Sequence, residues 1–163
     1  MRESPAALGR ADAIVIDGAA DEADLSAWPC AQFTLRRALG DPVPLDPGGA
    51  PPARDARVIA LAGIASPARF TDALGAAGWS VARTLSYPDH HRYRAADVQT
   101  VAAAVRETGA AAVLTTEKDA VRLLAWRPLP VPVPVCFVPL TAHPEPAAEF
   151  DAWLFGRLEA ARR

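Results

Sequence analysis

The residues best equipped for chemistry lie in Tyr87-Pro88-Asp89-His90-His91-Arg92-Tyr93, where one carboxylate adjoins two imidazoles. Histidine titrates near neutrality and an aspartate can fix its tautomer, so such a group can orient a catalytic partner, tune its pKa or bind a metal. The same residues also fit a solvated polar loop with Pro88 as turn former. A second cluster, Thr115-Thr116-Glu117-Lys118-Asp119, falls where a strand should end and a helix begin. Free N–H groups at a helix start favour an anion, which makes Thr116, Glu117, Lys118 and Asp119 candidates for phosphate or substrate contact. Thr116 with Asp119 is equally the spacing of a plain capping box, and Lys118 would then be only a solvated charge. Gly63-Ile64-Ala65-Ser66-Pro67 could bring backbone close to a phosphate, although it matches neither G-x-G-x-x-G nor G-x-x-x-x-G-K-[ST]. A tight strand-to-helix turn explains it as well.

The elements that would position these residues follow from periodicity. Ala13-Ile14-Val15-Ile16 and Val58-Ile59-Ala60-Leu61-Ala62 are apolar runs suited to strands buried on both faces. Weaker strands are expected over 31–35, 81–85, 112–115 and 135–138. Ser66-Pro67 should open a helix carrying Phe70, Ala73, Leu74 and Ala77 on one side. Val98, Val101, Ala102 and Val105 predict another, with Gly109 placed as a left-handed cap. A short helix should begin at Glu117 and turn Ala120, Val121 and Leu124 inward. Phe150, Trp153, Leu154 and Leu158 predict a terminal helix with Arg162 and Arg163 in its last turn. The proline-rich stretches 41–52 and 128–134 are expected to be extended loops. Strands alternating with helices define an α/β class with a mainly parallel sheet, and 163 residues suit a single α/β domain over 1–163.

Composition narrows the partners. Seventeen lysines and arginines nearly balance 19 aspartates and glutamates, for a net charge of −2, which disfavours nucleic acid. Cys30 and Cys136 lack metal-site spacing, so both are expected to be buried free thiols in a reducing cytoplasm, and no metal site is expected. No stretch approaches the roughly 20 apolar residues of a spanning helix, and residues 1–5 lack the pattern of a signal peptide, so the chain is expected to be soluble.

Taken in order, several of these segments resemble the second half of the tetraacyldisaccharide 4'-kinases. Met1-Arg2-Glu3 and Arg10-Ala11-Asp12-Ala13-Ile14-Val15-Ile16 are similar to the family's L/M-R-E and R-A-D-A-V-V-V stretches. Ala60-Leu61-Ala62-Gly63-Ile64 with Pro67 and Arg69-Phe70 resembles A-x-A-G-I-G-x-P-x-R-F-F. Asp89-His90-His91 is similar to the D-H-H or D-H-Q loop, and Thr115 to Val121 to T-E-K-D-A-V-K. The likeness covers most of residues 1–127. Ala65 departs from the usual glycine, Asp17 from asparagine or threonine, and Arg122 from lysine.

The resemblance implies the Rossmann-like half of a P-loop-type kinase fold and transfer of the ATP γ-phosphate to the 4'-hydroxyl of the tetraacyldisaccharide 1-phosphate precursor of lipid A. It implies a cytoplasmic protein at the inner-membrane face. Asp89 and His90 are the implied catalytic positions, His90 pairing with an aspartate from the P-loop half. Arg2 is implied to meet phosphate or acidic residues, a role suited to a guanidinium. ATP and Mg²⁺ are implied for the complete enzyme, with neither expected to bind this chain tightly, because it contains no Walker A sequence. The chain is then the C-terminal lobe, inactive alone, with a separate P-loop half as partner and with membrane contact made through that half. Two other readings stand beside it: a non-catalytic Rossmann-like binding module derived from the family, and a metal-dependent phosphoesterase using Asp-His-His.

Overall fold

The run 58–62 has no polar side chain to turn toward water, so it suits only a strand covered on both faces. In the computed structural model, which describes residues 4–17 and 27–162, each of these five side chains is at most 1% exposed. In chain order the elements are a 3-10 helix (Pro5–Arg10), strands β1 (Ala13–Asp17), β2 (Ala31–Leu39), β3 (Val43–Pro44) and β4 (Arg57–Ala62), helix α1 (Pro67–Ala76), β5 (Ser80–Ser86), α2 (Ala95–Thr108), β6 (Ala112–Thr116), α3 (Glu117–Leu123), a 3-10 turn (Leu124–Trp126), β7 (Val135–Val138), β8 (Leu140–Glu145) and α4 (Ala147–Ala161). They gather into two compact units, residues 39–140 and residues 1–38 with 141–163.

The unit of residues 39–140 is built on a sheet of order β3-β7-β6-β4-β5. β7, β6, β4 and β5 run parallel, and β3 joins the β7 edge antiparallel. Side chains alternate along a strand, so β4 feeds two cores. Ile59 and Leu61 pack with Val98, Val101 and Val105 of α2 and with Ala120 and Leu123 of α3, whereas Val58, Ala60 and Ala62 pack with Phe70 and Leu74 of α1. The fold is the expected α/β class, a mainly parallel sheet flanked by helices.

Local signals hold closely here. Pro67 opens α1 after Ser66, although the serine side chain makes no capping bond. Gly109 closes α2 with φ 64°, the left-handed conformation that its lack of Cβ permits. Thr116 Oγ1 accepts the Asp119 N–H at 3.2 Å and caps α3.

Three expectations are corrected. Val121 is 69% exposed and Leu124 44%, while Leu123 is buried. Asp119, Ala120 and Leu123 define the inward face of this short helix, helical geometry turns Val121 away from it, and Leu124 lies past its end in the 3-10 turn. Within the proline-rich stretch 41–52, Val43 and Pro44 form an edge strand opposite Phe137 and Cys136, a position where proline's missing donor is tolerated. Of the two free cysteines, Cys136 is fully buried but Cys30 is half-buried.

The other unit holds a sheet of order β1-β2-β8, with β1 parallel to β2 and Ala13 opposite Ala31. Phe150 and Trp153 of α4 pack on Phe33, with ring centroids at 5.0 and 5.7 Å. Leu158, expected in the inward stripe, is 47% exposed, and Arg163 lies outside the described residues.

Candidate functional site

Parallel strands bring their carboxyl ends to one edge, where open α/β sheets hold ligands. Gly63 follows β4, Asp89, His90 and His91 follow β5, and Thr116 closes β6 and opens α3. Asp119 ties the first and third of these loops together. It is fully buried, with Oδ2 accepting from Gly63 N at 2.9 Å and from Thr116 Oγ1 at 2.7 Å, and Oδ1 accepting from Arg122 Nη1 at 2.9 Å. Each oxygen of this buried carboxylate therefore has a hydrogen-bond partner. Arg122 Nη1 also donates to the Gly63 carbonyl at 3.2 Å, which closes a ring among Gly63, Asp119 and Arg122.

The middle loop joins through the other arm of the same guanidinium. Arg122 Nη2 stands 3.2 Å from His90 Nδ1. Arginine has no acceptor, so Nδ1 must accept and the ring proton of a neutral His90 sits on Nε2. Nε2 faces Asp89 Oδ2 at 3.5 Å, and the His90 backbone N–H donates to Asp89 Oδ1 at 3.0 Å. The His90 side chain is 79% exposed, and its φ of 61° is the sole positive value at a non-glycine among the described residues. Strain of that kind marks a residue held by its surroundings.

His91 is occupied differently. Its Nε2 lies 2.8 Å from Asp97 Oδ2, and its ring stacks on Tyr87 at 4.6 Å and meets Tyr93 edge-on at 5.2 Å. Asp97 also accepts the Arg94 N–H at 2.8 Å. Burial alone would raise the Asp97 pKa, but the His91 and Arg94 hydrogen bonds with their nearby charge outweigh it and hold the carboxyl below its usual range. The Tyr93 hydroxyl is buried beside Asp119 without a hydrogen-bond partner among the described residues, and burial first, then that carboxylate, pushes the phenol well up. Burial and Asp97 likewise raise Tyr87.

The predicted residues therefore part company. Asp89 and His90 reach the open edge. Thr116 and Asp119 are engaged in capping and in the ring with Gly63 and Arg122, and Asp119 is fully buried. Glu117 accepts the Leu140 N–H at 3.2 Å, and Lys118 is exposed with no partner among the described residues. Arg2 lies outside the described residues. Sequence reasoning passed over Arg122 as an anchor, although Asp119 and Arg122 at i and i+3 on α3 already place opposite charges on neighbouring positions. An open depression beside this ring is lined by Arg92, Tyr93, Arg122, Ala125 and Trp126.

No group of three His, Cys, Asp or Glu side chains among the described residues is arranged to hold a metal ion. The chain also carries no G-x-x-x-x-G-K-[ST] loop. No helix of the described residues is long and apolar enough to cross a membrane.

A parallel sheet with its polar loops gathered at the strand carboxyl ends places the chain among open α/β proteins whose chemistry sits at that edge. The family model described as tetraacyldisaccharide-1-P 4'-kinase matches residues 1–159, and the chain belongs to that family. It is 36% identical over 158 residues to the tetraacyldisaccharide 4'-kinase of Hyphomonas neptunium, covering 94% of this chain and 42% of that protein. The corresponding enzyme of Rhodopseudomonas palustris is 35% identical over 158 residues, 97% of this chain and 46% of its own length. The crystal structure of LpxK from Aquifex aeolicus, an "apo" form in complex with ATP, superposes with a TM-score of 0.60 at 21% identity over 95% of this chain and 45% of that one. That likeness establishes a shared fold. The chain spans less than half the length of these relatives.

Proposed function

We propose that residues 1–163 form the C-terminal lobe of a tetraacyldisaccharide 4'-kinase, and that Asp89 and His90 complete its phosphoryl-transfer site when a P-loop lobe is present. The observation that carries this reading is His90. Its ring stands exposed at the strand-end edge, is gripped through Nδ1 by Arg122, and in its neutral form carries its proton on Nε2, 3.5 Å from Asp89. A ring so held can donate to a carboxylate of the complementary lobe and set that group's basicity toward a sugar hydroxyl. Asp89 steadies the loop by accepting the His90 N–H.

The acceptor in this reading is the 4'-hydroxyl of the tetraacyldisaccharide 1-phosphate precursor of lipid A, at the cytoplasmic face of the inner membrane. ATP and Mg²⁺ supply and activate the phosphoryl group from the other lobe, and no step runs through a metal held by this chain. Lys118 and Arg92, both exposed, add positive charge near the edge where an anionic substrate would arrive. Alone, the chain is expected to be inactive. Arg2 remains a proposed phosphate contact on the family resemblance.

The test is a chimera in which this chain replaces the matching portion of the Rhodopseudomonas palustris relative. Phosphorylation of the 4'-hydroxyl that disappears on His90→Ala supports the reading. A folded chimera without activity, or one indifferent to His90→Ala, overturns it and leaves the non-catalytic module as the better description.

A further inference from the structure

We propose that Arg122 is a positioning residue for His90, one guanidinium nitrogen locked into the fold so that the other can fix the imidazole. The kinetic consequence rests on the function proposed above, whereas the effect on the ring does not.

The two ends of the guanidinium have separable duties. Nη1 alone meets the structural demand, because it reaches both Asp119 Oδ1 at 2.9 Å and the Gly63 carbonyl at 3.2 Å. Nη2 is not needed for that pairing and goes to His90 Nδ1 at 3.2 Å. The Asp119 side chain is fully buried and that of Arg122 is 23% exposed, so the base of the device is fixed while its tip reaches the surface. Among the described residues His90 has no comparable hold elsewhere. Its Nε2 lies 3.5 Å from Asp89, longer than a hydrogen bond of ordinary strength, and its ring is 79% exposed. Without Nη2 the imidazole would be free to change rotamer or to exchange tautomers.

Planarity is what makes arginine able to do this. The guanidinium is a rigid fork whose nitrogens stand at fixed separate positions, whereas an ammonium is a single point. A lysine at 122 could place its nitrogen against Asp119 and Gly63 and keep the buried charge paired. It could not also occupy the place of Nη2 beside His90. Arg122→Lys therefore separates the two duties, and it does so without stranding the buried carboxylate.

The experiment is nitrogen and carbon NMR of the His90 ring in the full chain, with wild type, Arg122→Lys and Arg122→Gln compared. In wild type the ring should be ordered, with unprotonated Nδ1 showing the upfield shift of a hydrogen-bonded acceptor. In Arg122→Lys the amide spectrum and the denaturation midpoint should stay near wild type while the Nδ1 and Nε2 shifts of His90 converge through tautomer exchange and ring order is lost. Arg122→Gln should lose both ring order and stability; if it fails to fold, the lysine variant still decides. An unchanged His90 ring in Arg122→Lys overturns the proposal.

A second arm uses the chimera. Arg122→Lys should lower kcat by about tenfold with KM unchanged, the mark of lost orientation at the reacting centre. Wild-type kcat with a disordered His90 would refute the kinetic role and leave the hold on the ring standing. Loss of the proposed function, by contrast, would show as indifference to His90→Ala.

Discussion

Gly63 and Asp119 lie 56 positions apart, yet the glycine N–H donates to the buried carboxylate at 2.9 Å. The approach requires the absence of a side chain, because a Cβ at 63 would stand 2.9 Å from Asp119 Oδ1 and 3.2 Å from the Tyr93 hydroxyl. Neither neighbour is a free end able to swing aside. Gly63→Ala should therefore destabilise the chain by about 1–3 kcal/mol, read from chemical denaturation. A midpoint equal to wild type would show that the strand-end loops are looser than described.

Asp119→Ala removes the acceptor of three donors and leaves the Gly63 N–H and an arginine without their partner. The expected loss is about 3 kcal/mol or more. Asp119→Asn should lose less, since its carbonyl oxygen can still accept from Gly63. Equal effects of the two substitutions would argue that charge, rather than the hydrogen bonds, holds the ring together.

The adjacent histidines should separate cleanly. His91→Ala deletes the 2.8 Å bond to Asp97 and the stack on Tyr87, with an expected cost of about 1–2 kcal/mol in stability. His90→Ala, at a ring 79% exposed, should leave stability within about 0.5 kcal/mol of wild type while removing transfer in the chimera. Thermal melts of both variants beside an activity assay decide the matter.

Much of this arrangement was legible because its signals are local. The burial of 58–62, the proline start of α1, Gly109 and the Thr116 cap each depend on a few neighbouring residues. What stayed hidden depends on distance in the chain. The acid of the Thr116-Asp119 pair was visible as a cap, but its second attachment, to Gly63, comes from strand order. Lateral pairing also made strands of Val43–Pro44 and Leu140–Glu145, two segments whose prolines argue for loops. The motif 89–91 drew attention as a unit, and only packing divides it into an exposed His90 and a His91 engaged by Tyr87, Tyr93 and Asp97.

Acid should expose the Asp97 contribution. Its pKa is held below the ordinary carboxylate value of about 3.9, so its stabilisation is present above that value and is lost as pH falls through the lower folded one. Between about pH 5 and pH 2 the wild-type melting temperature should fall more steeply than that of Asp97→Asn. Parallel curves would count against the His91–Asp97 link.

Alkali should act through Cys136. Burial pushes its thiol up to about 11, so the folded chain keeps the proton after an unfolded chain, titrating near about 8.5, has released it. Stability is then lost as pH rises through that window. In native protein near neutral pH a thiol reagent should label half-buried Cys30 and spare Cys136, and mass spectrometry before and after denaturant would show which site is modified. Rapid native labelling of Cys136 would place it outside the core.

The left-handed backbone at His90, φ 61°, bears on how a second lobe would be met. The direction in which residue 90 leaves the backbone is written into main-chain torsions, and Arg122 then holds the ring, so both precede any encounter. If a second lobe docks as proposed, it would find the ring already presented, so little of its association energy would go to induced fit and more would be left for aligning the reactants. Asparagine or glycine at this position would preserve that presentation while erasing the imidazole, which separates the shape of the loop from the chemistry it carries.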